Sequence, residues 1–223
     1  MVIVDDGSTD STQNVIKPYL SDKRITYFQL NKNKGVGFAR NYGIKKVETS
    51  WVSILDSDNE YEVNALKCMT SAIESFPNIK LHKFAVNSFS GKKMGERPDK
   101  STVISGIKEF KGKFKGESRT LFRKSLLMDT PYAENVMGAE GAVWKWIALK
   151  VKTLAYHPCI VEKYLEEGGD RLSLRSNNIE RLYRVWAFDI KLLWRQYLKH
   201  DPIQLIIALF KMISYWSLWK IKK

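Results

Sequence analysis

Asp56-Ser57-Asp58 closes the apolar run Trp51-Val52-Ser53-Ile54-Leu55. Two carboxylates one residue apart, at the carboxyl end of a strand, converge on one hard cation. Such a cation keeps some of its waters and takes its remaining ligands from a diphosphate. Open α/β sheets bind ligands at that end of their strands. A solvated acidic turn is the plain alternative for the tripeptide taken alone. A second acidic pair, Asp5-Asp6, ends the apolar run Met1-Val2-Ile3-Val4. Two cations, Lys34 and Arg40, flank a glycine-bearing segment; they suit phosphates and suit surface salt bridges equally well.

The elements that must position these groups follow from the pattern around them. Gly7 permits a tight turn after the first strand, and Ser8, Thr9 or Asp10 can cap a helix beginning near Ser11. Ile25-Thr26-Tyr27-Phe28-Gln29-Leu30 reads as a strand, and residues 31–43 as a loop entering a helix. Strand, helix, strand, helix, strand within 55 residues predicts a mostly parallel α/β sheet flanked by helices. Gly35-Val36-Gly37-Phe38-Ala39-Arg40 mimics a dinucleotide motif. Arg stands at the sixth position, however, and the preceding turn is too long, which argues against a nicotinamide or flavin enzyme. Farther on, Ile79–Val86 and Arg119–Phe122 read as strands, residues 90–104 as a mobile loop, and residues 138–150 as an apolar helix. Trp144 on that helix is a core residue by its spacing or, alternatively, a platform for a sugar. His82, His157 and His200 show no ligand or triad spacing.

Three segments in this order resemble glycosyltransferase family 2, the inverting nucleotide-sugar enzymes of the GT-A fold. They are Val2-Ile3-Val4-Asp5-Asp6-Gly7-Ser8-Thr9-Asp10, Asn33-Lys34-Gly35 with Ala39-Arg40-Asn41-Tyr42-Gly43-Ile44, and Leu55-Asp56-Ser57-Asp58. Weaker echoes stand at Leu121-Phe122-Arg123-Lys124, Gly138-Ala139-Glu140 and Gly168–Ser173. The resemblance spans about residues 1–175, leaving 176–223 as C-terminal helices. It implies a GT-A-type Rossmann-like domain with a nucleotide-sugar donor and a glycan or lipid-linked acceptor. Asp56 and Asp58 would hold Mg²⁺ or Mn²⁺, with Asp58 the more direct ligand. Asp5 and Asp6 would accept hydrogen bonds from the base or ribose, and Lys34, Arg40 and Asp56 would face the donor. Two departures stand out. The family normally carries a first strand and helix before the Val-Asp-Asp strand, and here that strand opens the sequence, which reads as a truncated domain with a sheet lacking one strand. The family also places Glu-Asp at the catalytic base, whereas Ala139-Glu140-Gly141 offers Glu140 alone, with Asp170 and Glu134 next in line.

The 223 residues suit one full-sized core, and 44% hydrophobic content excludes disorder. The net charge of +13 is regional: residues 80–124 hold thirteen Lys or Arg against four Asp or Glu. Such a stretch attracts phosphates of nucleotides, lipid headgroups or nucleic acid, or is simply a solvated face. No nucleic-acid motif accompanies it. Cys68 and Cys159 lack metal spacing and read as reduced thiols of a cytoplasmic protein. No signal peptide is visible.

Residues 177–200 carry a long helical pattern, Asp201-Pro202 breaks it, and Ile203–Trp219 is strongly apolar. Gln204, Lys211, Tyr215 and Lys222 form one narrow polar stripe on that last helix. Seventeen residues interrupted by Lys211 are short for a membrane span. The pattern therefore predicts a helix in the membrane interface on the cytoplasmic face, or one docked on protein. The rivals to an enzyme are an inactive scaffold of this fold and, on net charge alone, a nucleic-acid-binding module.

Overall fold

A computed structural model of the chain describes residues 1–165 and 178–221. The N-terminal pattern forms as expected. Strand β1 (Val2–Asp5) leads through α1 (Thr12–Ile16) and a short 3₁₀ turn to β2 (Thr26–Gln29), then through α2 (Val36–Lys46) to β3 (Trp51–Ser53). Asp10 Oδ1 accepts from the Thr12 amide at 3.0 Å just ahead of α1, whose N-cap position is Ser11 with no side-chain cap. β1 and β2 pair in parallel, with Val2 opposite Thr26 and Asp5 opposite Gln29.

The remaining strands are β4 (Glu60–Tyr61), β5 (Leu81–Ser88), β6 (Thr102–Ser105), β7 (Arg119–Arg123) and β8 (Thr153–Tyr164). Between them lie α3 (Ala65–Ser75), α4 (Gly106–Phe110), α5 (Lys124–Asp129) and α6 (Glu140–Val151). They build a six-stranded sheet in the order β3-β7-β5-β8-β4, with β6 also on β8, while β1 and β2 stand as a separate two-stranded sheet. The α/β class of a GT-A-like chain holds, but the sheet is mixed rather than mostly parallel. Only β1–β2 and β5–β8 are parallel, and β3–β7, β5–β7, β4–β8 and β6–β8 are antiparallel. Parallel pairing joins β1 to β2 across the first βαβ unit and β5 to β8 within the larger sheet, and the other neighbouring strands run in opposite directions.

The main core lies where α6 covers this sheet. Phe122, Leu154 and Ala148 are fully buried there, and Val143 and Ile147 nearly so. A second cluster, with Ala65, Met69 and Ala72 of α3, packs against Phe84, Leu121 and Val161 on the other face. Cys68 and Cys159 join this cluster and are bonded to each other, contrary to the expectation of two reduced thiols. The reason is geometric: α3 lies across β8, which sets the two side chains face to face. The cytoplasmic reading accordingly draws no support from these cysteines.

Two of the three histidines meet in space. His82 on β5 and His157 on β8 stack side by side, with Nδ1 of His82 3.0 Å from Nε2 of His157 and the Ser101 hydroxyl 2.9 Å from the other His157 nitrogen. Burial holds both imidazoles down at a pKa of about 4, and for His157 the neighbouring His82 adds to the effect.

Helices α7 (Ile179–His200) and α8 (Pro202–Ile221) form an antiparallel pair. Asn178 caps α7 by accepting from the Glu180 and Arg181 amides at 3.0 and 3.3 Å. Leu193 and Tyr197 share a cluster with Ala142 of α6, Phe110 of α4 and Leu205 of α8. Asp189 sits within this apolar face, accepting from the Tyr197 hydroxyl at 2.7 Å, while Lys145 of α6 reaches the same hydroxyl at 2.9 Å. The expected boundary at residue 175, the Gly168–Ser173 echo, Asp170 and Lys222 lie outside the described residues.

One member of the polar stripe of α8, Lys211, reaches α7. Lys211 lies over the Trp186 ring at 4.6 Å, and Trp219 stacks on Tyr183 at 5.7 Å. The opposite face is left outward, with Ile203, Ile206, Phe210 and Ile221 each more than two-thirds exposed.

Candidate functional site

α2 is the element that assembles the site. Gly37 lies against the carbonyl of Ala133, and a Cβ there would strike it. Four residues on, one turn along the same face, buried Asn41 clasps the same segment: its amide donates to the Tyr132 carbonyl and to Glu134 Oε1, each at 3.0 Å, and its oxygen accepts from the Tyr132 amide at 2.9 Å. Close approach and clasp together draw residues 132–134 across α2, which carries the start of α6 toward Arg40.

Arg40 is the hub. Its guanidinium donates to Asp56 Oδ1 at 2.7 Å and to Glu140 Oε1 at 3.2 Å, and lies 5.7 Å from the Tyr132 ring. Burial opposes its charge, but Asp56 and then Glu140 more than offset this and hold its pKa above the ordinary guanidinium value. Burial drives the Tyr132 phenol far upward, so it remains neutral. Glu140 stands at the first position of α6, where a carboxylate also meets the positive end of the helix.

The turn bearing Asp56 and Asp58 is held from beneath. Arg119 of β7 donates to the Ile54 carbonyl and to both oxygens of Glu162 of β8. Asn59 donates to Glu162 Oε1 at 2.8 Å, its amide N–H donates to the Asp56 carbonyl at 3.1 Å, and its side-chain oxygen accepts from Leu165 at 3.1 Å. Glu162 is fully buried; burial raises its pKa and the Arg119 hydrogen bonds pull against that rise. These two charges were not singled out from the sequence. A lone Arg and a lone Glu in separate strands give no local signal; they meet because β7 and β8 flank β5.

Arg40, Asp56, Asp58, Glu140, Arg119 and Glu162 all line one cleft of about 960 Å³, and Trp144 reaches it while its ring edge also packs on Phe122 at 5.2 Å. Trp144 therefore packs against the core and also borders the cleft. The cleft also takes in Lys83 and Glu109, which pair at 2.5 Å, with the Tyr156 hydroxyl donating to Glu109 at 2.6 Å.

The other three candidates do not line this cleft. Asp5 is buried and accepts from the Ser8 amide at 2.7 Å and the Tyr27 hydroxyl at 2.5 Å. Burial works against its charge, but those hydrogen bonds hold its pKa below the usual value. Asp6 accepts from the Lys34 and Gly35 amides at 2.8 and 2.7 Å, so it shapes the loop before α2. Gly7 (φ +79°) lets this happen, since a Cβ there would lie 2.7 Å from the Asn33 amide nitrogen. The Lys34 ammonium lies over the Phe38 ring at 4.3 Å.

Among the described residues no group of three or more His, Cys, Asp or Glu is arranged to hold a metal. Two carboxylates of one turn, opening on a cleft that also holds guanidinium groups, fit a hard cation whose other ligands come from a bound diphosphate.

Comparison with known proteins identifies the family. The sequence profile described as Glycosyl transferase family 2 matches residues 1–130. The chain belongs to that family. It is 33% identical over 154 residues to the GalNAc(5)-diNAcBac-PP-undecaprenol beta-1,3-glucosyltransferase of Campylobacter jejuni, covering 65% of this chain and 48% of that one. A putative teichuronic acid biosynthesis glycosyltransferase TuaG of Bacillus subtilis is 37% identical over 68 residues, 30% of this chain and 27% of that one. The chain thus spans about half or less of these relatives. Among solved structures, S. aureus TarS 1–349 with UDP-GlcNAc superposes with a TM-score of 0.72 at 18% identity, over 96% of this chain and 61% of that one. The Pyrobaculum calidifontis mannosyltransferase PcManGT, with GDP-Man and Mn²⁺, gives 0.58 at 16% identity, over 97% and 65%. At these identities the likeness is one of fold.

Proposed function

We propose that this chain transfers a sugar, with inversion, from a nucleoside-diphosphate donor to a hydroxyl of a glycan or lipid-linked acceptor in surface glycan assembly. The observation that carries the reading is the convergence of Asp56, Arg40 and Glu140 at one cleft. The C. jejuni relative acts on an undecaprenol-linked glycan, and TarS binds UDP-GlcNAc, which supports both substrate classes.

Asp56 and Asp58 would hold Mg²⁺ or Mn²⁺, which when bound neutralises charge on the leaving nucleoside diphosphate. Arg40 adds a second positive group beside that leaving group. A phosphate oxygen that takes Arg40 as partner frees the Glu140 carboxylate to face an acceptor hydroxyl. Glu140 then receives the proton of that hydroxyl as its oxygen attacks the anomeric carbon from the side opposite the leaving diphosphate. Asp6 and Asp5 fix the loops on the nucleotide side, and Lys34 stands in the loop that Asp6 shapes. Trp144 offers an aromatic surface to the acceptor sugar.

The outward apolar face of α8 supports a helix that lies in a membrane interface, on the side where the nucleotide donor is supplied. Its twenty residues are long and apolar enough to cross a bilayer by composition. Lys211 against Trp186 places a charge on the face toward α7, which suits the surface rather than the interior.

Calorimetry with UDP-type and GDP-type ligands tests the site. Binding is expected only with Mn²⁺ or Mg²⁺ present and is expected to vanish in Asp58→Ala. Undiminished binding in chelator would remove the cation from the mechanism.

A further inference from the structure

The segment that begins within α4 and runs on to Gly116 belongs to two surfaces at once. Lys108, Lys111, Lys113 and Lys115 stand within eight residues, all exposed. The acidic residue among them, Glu109, does not neutralise them, because its carboxylate turns inward to Lys83 and Tyr156. None of the four lysines is ion-paired among the described residues. On its inner side the same segment lines the cleft through Gly112, Phe114 and Gly116. Phe110, buried at the head of the segment, locks it to the corner between α7 and α8: its ring lies 4.9 Å from Tyr197 and 6.4 Å from His200, and it shares a cluster with Leu205. Just beyond that corner begins the outward face of Ile203, Ile206 and Phe210.

We infer that the 108–115 lysines and the outward face of α8 form one docking surface for an anionic bilayer, with the cleft mouth at the headgroup layer, so that the acceptor enters from the membrane. Each half fits what the other lacks. The helix gives apolar area without much charge, and the loop gives charge without apolar area. A bilayer carrying anionic headgroups over an apolar interior is complementary to both together. A lipid-linked acceptor would then reach the cleft beside Phe114 without leaving the headgroup layer.

The inference rests on the interfacial reading of α8 and adds to it a second contact and an orientation. The test is flotation of the full chain with vesicles of phosphatidylcholine, alone and with phosphatidylglycerol. In the variant Lys108→Gln, Lys111→Gln, Lys113→Gln, Lys115→Gln, affinity for the anionic vesicles is expected to fall by about tenfold or more, and its salt sensitivity to fall with it. Binding to neutral vesicles is expected to stay as in the unaltered chain. An environment-sensitive probe on Lys113→Cys should be quenched by headgroup-labelled lipid, as should one on Phe210→Cys. Anionic binding equal to that of the unaltered chain, or quenching at position 210 alone, would overturn the joint surface while leaving α8 on the membrane. No vesicle binding by the unaltered chain, with a stable dimer in solution instead, would overturn both by assigning the α8 face to a second copy.

Discussion

Glu140 and Asp56 share one guanidinium, and this arrangement decides what each substitution there should do. Removing the charge of Glu140 leaves Arg40 still held by Asp56 at 2.7 Å, so the donor side keeps its geometry. Glu140→Gln is therefore expected to lower turnover by about 10²-fold or more while leaving nucleotide affinity nearly unchanged, read by steady-state kinetics beside calorimetry. Near-normal turnover would assign the proton to another group. At this scale the sequence was informative where residues act in runs. Asp56, Asp58 and Arg40 stood out because each lies in a short motif with a recognisable element before it. Asn41 lies in the same motif as Arg40, but its clasp on Tyr132 was not legible because it joins residues 91 positions apart.

The turn that presents the carboxylates depends on β7 and β8. Arg119 and Glu162 form a buried ion pair, and breaking such a pair costs about 3–5 kcal/mol because the survivor is left uncompensated. Glu162→Gln is thus expected to lower stability in urea titration by an amount approaching that range. It should also weaken cation-dependent nucleotide binding, since Arg119 holds Ile54 and Glu162 holds Asn59. The joint variant Arg119→Met, Glu162→Leu should recover most of the stability and little of the binding. Loss of stability without loss of binding would show that the pair supports the sheet alone. β5, β7, α6 and α7 were legible from periodicity, whereas β8 was not and β6 begins inside the expected 90–104 loop. The pairing of the strands was not legible, because side-chain alternation reports which residues are buried and not the direction of the neighbouring strand.

For the whole molecule, acid sensitivity follows from the imidazole pair between β5 and β8. Both histidines have pKa values near 4 in the fold against an ordinary 6.5, so the unfolded chain binds protons that the folded chain refuses. Their contribution to stability is therefore complete above about pH 6.5, falls as pH drops through the window to about 4, and levels off below it. Thermal midpoints should decline from pH 7.5 to pH 5, and His82→Leu, His157→Phe should flatten that decline. An unchanged slope in the double variant would place the sensitivity elsewhere. None of this was visible in the sequence, where the two residues stand 75 positions apart with no motif around either.

The separation of β1–β2 from the six-stranded sheet has a consequence for cooperativity. This pair is tied to the main core through α2, where Gly43 meets Val4 and Ile44 enters the core around Phe122. So narrow a junction lets β1–β2 open locally at a free energy below that of global unfolding, as a foldon of its own. Asp5, Asp6 and the loop they shape ride on that foldon, whereas Asp56, Arg119 and Glu162 belong to the larger body. A ligand bound across the junction stabilises the weaker unit by mass action and couples the two. Donor occupancy would then be written into the chain as a change in how many steps it takes to come apart.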